Sequence, residues 1–392
     1  MDGISKHDFP KKILIAHQST IPHYRVPFYE AVERLRPSWW QFTVLYDPQV
    51  SRQDRFVPVN PETVNFTILV TRTWYLPFSK KKLHLQSFLL AARKYDLIVV
   101  EDLLKNITYP LLHFYRLLGK FLLLWGHGRD LSVVEPKGIK RFYEAIKMRL
   151  ARSANGYFAY TPGVKEGLIE KGLNEGSVFV LNNTIDIRAQ RRVYRRLINH
   201  REELRIAQDL ASAKVLLYVG RLDKSKHLDV LVETFAILKA EDLAYHLIVV
   251  GGGDMSPIWA IQEHFGPNAI THYDLTTDLE ILGPLYVMSD AYIFPGDVGL
   301  GPLQALCYDL TPVVIDSPTH KPEYEYLNDS NAFISPEGTE PHEYARAIER
   351  LLSDKDRLQT LRAQSWPSIQ HLTIESMAEN FVRGINAILR HG

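Results

Sequence analysis

Short apolar runs alternate with amphipathic stretches along most of this chain, and that alternation restricts the fold more than any other feature. Residues 13–16, 42–46, 67–70, 97–100, 121–124, 157–160, 178–181, 215–219, 246–250, 291–294 and 312–315 have the length and composition of buried strands. Strands that are apolar at nearly every position have both faces covered, the condition of a parallel sheet between helical layers. The expected class is therefore α/β. At 392 residues the chain exceeds one core of ordinary size, so two domains are expected.

The stretch 215–235, VLLYVGRLDKSKHLDVLVETF, carries the clearest chemistry. An apolar strand ends at Gly220, Arg221 and Lys226 follow in the turn, and Leu228, Leu231, Val232 and Phe235 recur at helical spacing. Two cations beside a helix N-terminus suit a diphosphate, because Arg forks onto two oxygens while Lys acts as a mobile point charge. The plain alternative is a strand-to-helix turn with two solvated basic residues.

Val219-Gly220-Arg221-Leu222 with Lys226 resembles the G-R-L-x(3)-K-G turn of the family 4 (group 1) retaining glycosyltransferases, with His227 in place of the final Gly. Other stretches resemble that family in order. They are the first loop Pro22-His23-Tyr24-Arg25-Val26-Pro27, the strand-end Gly126-His127-Gly128, the exit turn Asn182-Asn183-Thr184-Ile185-Asp186, and Gly251-Gly252-Gly253. The last is PGDVGLGPLQALC, residues 295–307. There the family has an E-x7-E frame. This chain has Gly296, followed by Asp297, at the first carboxylate and Gln304 at the second, a variation resembling that of surface-polysaccharide transferases.

The resemblance implies the GT-B architecture: two Rossmann-like parallel-sheet domains facing across a cleft. It places an acceptor-side domain at 1–190, an interdomain segment at 191–212 and a nucleotide-sugar domain at 213–372. A C-terminal helix at 373–392, with Met377, Phe381, Ile385 and Leu389 on one face, is expected to pack back on the first domain. It implies diphosphate contacts from Arg221, Lys226, Gly299 and Leu300, and nucleotide or ribose contacts from Gln304, Tyr273 and Gly252. His127 and Asp297 become candidates at the sugar, and His23, Tyr24, Arg25 and Glu101 candidates on the acceptor side. The glycines around His127 and the triple glycine are expected to let backbone approach the ligand. For His127 the alternative is a ring that merely bonds its own loop.

The implied reaction moves a sugar from a nucleotide diphosphate sugar to a glycan or lipid-linked glycan, with retention, in bacterial surface polysaccharide synthesis. No cofactor or metal is expected, the sugar nucleotide being a co-substrate. No Cys/His cluster has zinc spacing, and the one D-x-D, Asp354-Lys355-Asp356, sits where a helix cap belongs. Gly296 and Gln304 keep open a catalytically inactive partner protein on the same fold. A nucleotide-sugar epimerase is the other alternative.

A net charge of +1 argues against a nucleic-acid-coating surface, and a single cysteine, Cys307, fits a reducing cytoplasm. MDGISKHDFPKK has no apolar leader core, and the apolar region 107–125 is interrupted by His113, Arg116 and Lys120. The expected location is cytoplasmic, extended to the inner face of the plasma membrane through 137–152. That stretch sets Lys140, Arg141, Lys147, Arg149 and Arg152 among Ile139, Phe142, Ile146 and Leu150. The alternative is a solvated basic face over a packed apolar stripe.

Overall fold

A computed structural model describes residues 10–18, 20–51, 59–76, 83–129 and 137–391. Residues 1–9, which hold most of the segment considered above as a leader, lie outside them. The chain divides into two units, Met1–Asn183 with Ile374–Gly392, and Thr184–Thr373.

The first unit is built on a parallel seven-stranded sheet. Its strands are β1 (Lys11–Ala16), β2 (Trp40–Tyr46), β3 (Thr67–Val70), β6 (Leu97–Glu101), β7 (Phe121–Gly126), β8 (Gly156–Ala159) and β9 (Val178–Val180), in the order β3-β2-β1-β6-β7-β8-β9. A separate antiparallel pair, β4 (Thr73–Tyr75) and β5 (His84–Gln86), lies between β3 and β6 in the chain. The second unit has a parallel six-stranded sheet: β10 (Lys214–Val219), β11 (Tyr245–Val250), β12 (Ile270–Tyr273), β13 (Ala291–Phe294), β14 (Pro312–Ile315) and β15 (Phe333–Ser335), in the order β12-β11-β10-β13-β14-β15.

Both sheets reverse direction of winding once, between β1 and β6 in the first and between β10 and β13 in the second. In open α/β sheets ligands bind beyond the strand carboxyl ends at that reversal. The topology thus selects two loci, one per unit, before any side chain is considered.

Side-chain alternation explains the two cores of the first unit. Ile13, Ile15, Leu97, Val99, Leu123 and Trp125 face one layer, and Leu14, Ile98, Val100, Leu122 and Leu124 face the other. The C-terminal helix Ile374–His391 supplies Met377, Phe381 and Ile385, each fully buried, to the first layer. Phe381 stacks on Phe158 at 4.8 Å and meets Phe28 edge-on at 5.5 Å.

The stretch 191–212, expected to run between domains, belongs to the second unit. Its helices Ile187–Leu197 and Arg201–Ala207 are fixed there by ion pairs. Arg201 and Arg205 converge on Asp290, and Arg191 pairs with Asp309 at 2.9 Å. The run of arginines that looked like linker surface partly serves to hold these helices to the sheet domain.

Candidate functional site

At the β10–β13 reversal, Gly220 leaves β10 and the chain turns through Arg221 to a short 3-10 turn, Lys224–Lys226, before the helix Leu228–Glu241. Two buried tyrosine hydroxyls fix this turn. Tyr292 donates to the Val219 carbonyl at 3.0 Å and Tyr218 to the Arg221 carbonyl at 2.8 Å. The rings of Tyr218, Phe294 and Tyr292 stack in nearly parallel planes beneath it. His227, at the N-cap of that helix, adopts the left-handed conformation at φ 48 that a glycine takes more readily.

Two of the three glycines after β11 pack directly against this turn. A Cβ on Gly251 would lie 1.9 Å from the Gly220 carbonyl oxygen, and one on Gly253 2.2 Å from that of Leu222. Leu222 N–H donates to the Gly252 carbonyl, and Asp254 N–H to the Leu222 carbonyl. The expected approach of this backbone to a ligand is corrected for Gly251 and Gly253, whose close neighbour is the Arg221 loop. Gly252 alone faces open space, exposed near Leu275.

Gly296 is constrained in the same way. A Cβ there would lie 2.4 Å from both the Cα and the carbonyl carbon of Lys226. Backbone of Lys226 therefore fills the space a side chain at 296 would need. Asp297 N–H donates to the Ser225 carbonyl at 3.1 Å, and Lys226 Nζ donates to the Asp297 carbonyl. The Asp297 carboxylate accepts from Thr319 Oγ1. Burial, with repulsion from Arg221 and Lys321, lowers the Lys226 amine to about 8 against the pull of Asp297 and Asp223. Arg221, half exposed, pairs with Asp223 at 3.0 Å. The site thus presents two cations held ready by weak internal partners.

Gly299 and Leu300 precede the helix Gly301–Cys307. It has only seven residues, and Pro302 in its first turn lacks an N–H. Its pull on an anion is weaker than the sequence suggested. Gln304 is half-buried one turn along it. Tyr273 ends β12, half-buried, and its carbonyl accepts from Gly251 N–H at 3.0 Å.

At the β1–β6 reversal the first unit gathers a second cluster. His17, the first residue past β1, stacks on Trp125 at 3.9 Å, and its Nε2 lies 3.1 Å from Tyr160 Oη. Burial first, then Arg25 and His127, hold His17 neutral. The His127 ring lies 4.5 Å from that of Tyr160. The glycines on either side of His127 are structural. Gly126 leaves room for Tyr157 and Asp102, and Gly128 has φ 70.

Arg25, expected to face an acceptor, is 1 % exposed. Its guanidinium bonds Asn183 and the Met377 sulfur and lies over the rings of Tyr24, Trp125 and Tyr160. It braces this unit internally, whereas His23 and Tyr24 stay half-buried in the same 3-10 turn, His23–Arg25. Glu101 ends β6, half-buried. Burial, then the adjacent Asp102, push its carboxyl up to about 8, with Lys147 working the other way.

Several of these residues escaped the sequence reading. Asp102 Oδ2 accepts from Tyr157 Oη at 2.7 Å and lies 3.4 Å from Lys147 Nζ, while Tyr157 Oη accepts from Gly128 N–H at 3.1 Å. Lys147 is therefore turned inward, away from the basic face assigned to its helix. His17 and Asp102 each stand one residue beyond a strand end, which was the available signal. Among the described residues no group of three or more metal-ligating side chains converges, and Asp354 caps the helix Lys355–Ile369 through Arg357 N–H.

Residues 200–365 match the family model described as glycosyl transferases group 1. No curated protein matches the chain significantly. Several solved structures share its fold. HepE of Anabaena, in complex with UDP-glucose, is 15% identical over 96% of this chain and 99% of its own, with a TM-score of 0.67. The lipopolysaccharide outer core galactosyltransferase WaaB is 14% identical over 98% and 100%, with a TM-score of 0.62. The sucrose-phosphate synthase of Thermosynechococcus elongatus is 15% identical over 98% and 100%, with a TM-score of 0.67. At that identity the likeness establishes the two Rossmann-like domains of the GT-B fold. Over residues 200–365 the chain carries a domain of the glycosyl transferases group 1 family.

Proposed function

We propose that the chain transfers a sugar from a nucleoside diphosphate sugar to a glycan or lipid-linked glycan acceptor in surface polysaccharide synthesis. The observation that carries this reading is the placement of Arg221 and Lys226 at the winding reversal of the second sheet, where topology alone puts a ligand. HepE binds UDP-glucose, which makes uridine the first base to test, and WaaB acts on lipopolysaccharide outer core.

In this reading the diphosphate exchanges with the internal partners of the two cations. Arg221 turns from Asp223 and Lys226 from the Asp297 carbonyl, and both stabilise the charge that grows on the leaving diphosphate. Residues on this chain supply that charge, and no metal is invoked. Retention follows from attack on the face the leaving group vacates. His127, steadied against Tyr160, contacts the sugar. Gln304 and Tyr273 take the ribose and base, with Gly252 beside them. His23, Tyr24 and Glu101 face the acceptor.

The helix Ile139–Ser153 adds a membrane contact to the proposal. Ile139 is 71% and Phe142 65% exposed, so the apolar stripe is uncovered at the start of the helix, while Leu150 near its end packs on the core. Lys140, Arg141 and Arg149 are exposed beside it, and that pairing suits an anionic bilayer surface. Among the described residues no helix is long and apolar enough to cross a membrane.

A thermal-shift panel of uridine, guanosine, adenosine and thymidine diphosphates on wild type and Arg221→Ala tests the donor site. A ligand at 100 times its dissociation constant stabilises by about 2.7 kcal/mol. The reading expects stabilisation by one base that disappears in the variant; stabilisation by none contradicts it. Donor binding with no turnover on any acceptor would instead support the inactive-partner reading, which Gly296 and Gln304 keep open and the retained Arg221, Lys226 and His127 oppose.

A further inference from the structure

We propose that Lys321 is a third cation of the donor site, reaching the phosphate distal to the nucleoside. The inference rests on the donor reading above and extends it to a residue outside the Gly-Arg-Leu turn and the 295–307 stretch.

Three observations place Lys321. Its N–H donates to the Val298 carbonyl at 2.9 Å, which pins it against the turn 296–300. Its side chain runs across Gly299, where an added Cβ would lie 3.8 Å from Lys321 Cγ. In the same turn Lys226 Nζ donates to the Asp297 carbonyl. Two ammonium-bearing side chains therefore border one short piece of backbone, close enough that Lys321 helps to depress the Lys226 amine. An anion between them relieves that repulsion.

Two acids beside the Arg221 and Lys226 turn are engaged with other partners. Asp223 is paired with Arg221, and Asp297 accepts from Thr319. His320, next to Lys321, adds no positive charge. Its Nδ1 accepts from Val298 N–H at 3.0 Å, so Nε2 carries the proton toward the Ile315 carbonyl and the ring is neutral. The helix after Leu300 does not substitute for a cation, being seven residues long with a proline in its first turn. Arg221 and Lys226 come from the turn after β10 and Lys321 from the loop after β14, so two separate segments supply the three cations.

The test compares the nucleoside diphosphate that stabilises the wild type in the four-base panel with its own monophosphate. Calorimetric affinities are measured for wild type, Lys321→Gln and Lys321→Arg, with melting temperatures as the folding control. Loss of one charge-assisted contact to a phosphate corresponds to about tenfold in affinity. The inference expects Lys321→Gln to weaken the diphosphate about tenfold and the monophosphate less than about twofold, with Lys321→Arg restoring most of the loss. An unchanged diphosphate affinity overturns it, as does an equal loss for both nucleotides. If the wild type binds no diphosphate, the donor reading itself fails and the inference falls with it. If the wild type binds and Lys321→Gln binds equally well, only the third cation is lost.

Discussion

Gly296 shows how one residue decides what a site can contain. Lys226 backbone lies where its Cβ would be, so a carboxylate cannot be restored there by substitution. We predict that Gly296→Ala costs about 1–3 kcal/mol through overpacking and weakens donor binding. Gly296→Glu should lower activity further instead of raising it. Thermal denaturation and donor turnover check both, and a gain in turnover for Gly296→Glu would contradict the packing account. Lys226 supplies a second prediction. Its amine is lowered to about 8 in the free protein, and a bound diphosphate favours the ammonium. Affinity should be level below that pH and fall above it, by at most about tenfold per pH unit. Lys226→Arg, which stays charged, should remove the bend at about 8, and a bend that persists in this variant would refute its assignment to Lys226. The sequence displayed Arg221, Lys226 and the glycines by type and spacing. It could not display what the glycines approach, because contact between the β10 and β11 loops depends on three-dimensional register.

Among elements, the helix Ile139–Ser153 is tied to the end of β6 by Lys147 and Asp102, whose side chains are 10% and 0% exposed. Removing one partner leaves a buried charge unpaired. Lys147→Met should therefore destabilise by about 3–5 kcal/mol, and Asp102→Asn added to it should recover part of the loss. Equal stability of Lys147→Met and wild type in denaturant unfolding would show the pair to be idle. Glu101, beside it, runs the other way. Its carboxyl is raised from 4.5 to about 8. Between those values the unfolded chain is ionised while the folded chain keeps the proton, so stability falls as pH rises through that window. Glu101→Gln should melt increasingly above wild type as pH goes from 4.5 to 8. Central strands were legible because both faces are covered and every position is apolar. The pair β4–β5 was not, with three residues each, nor was the terminal strand β12, whose ITHY carries polar side chains. Lys147 was read on the wrong face because helical spacing shows an apolar stripe but not which cation turns inward to a buried acid.

For the whole molecule, the alternation of strands and helices announced two parallel-sheet domains, and the apolar face of 374–389 announced a packed terminal helix. Within its unit that helix closes the core around Phe28, Trp125 and Phe158. Vesicles containing phosphatidylglycerol should co-sediment wild type, and Phe142→Glu should abolish that binding while leaving melting temperature and nucleotide affinity unchanged. Equal sedimentation of both proteins would remove the helix from the account. In the proposed reading the winding reversal of the second sheet holds a diphosphate between Arg221 and Lys226. Its most direct test is the calorimetric dissociation constant of the preferred nucleoside diphosphate for wild type, Arg221→Ala and Lys226→Ala at pH 7. The account predicts a loss of about tenfold or more in each variant, with folding intact. Affinities within twofold of wild type in both would contradict it.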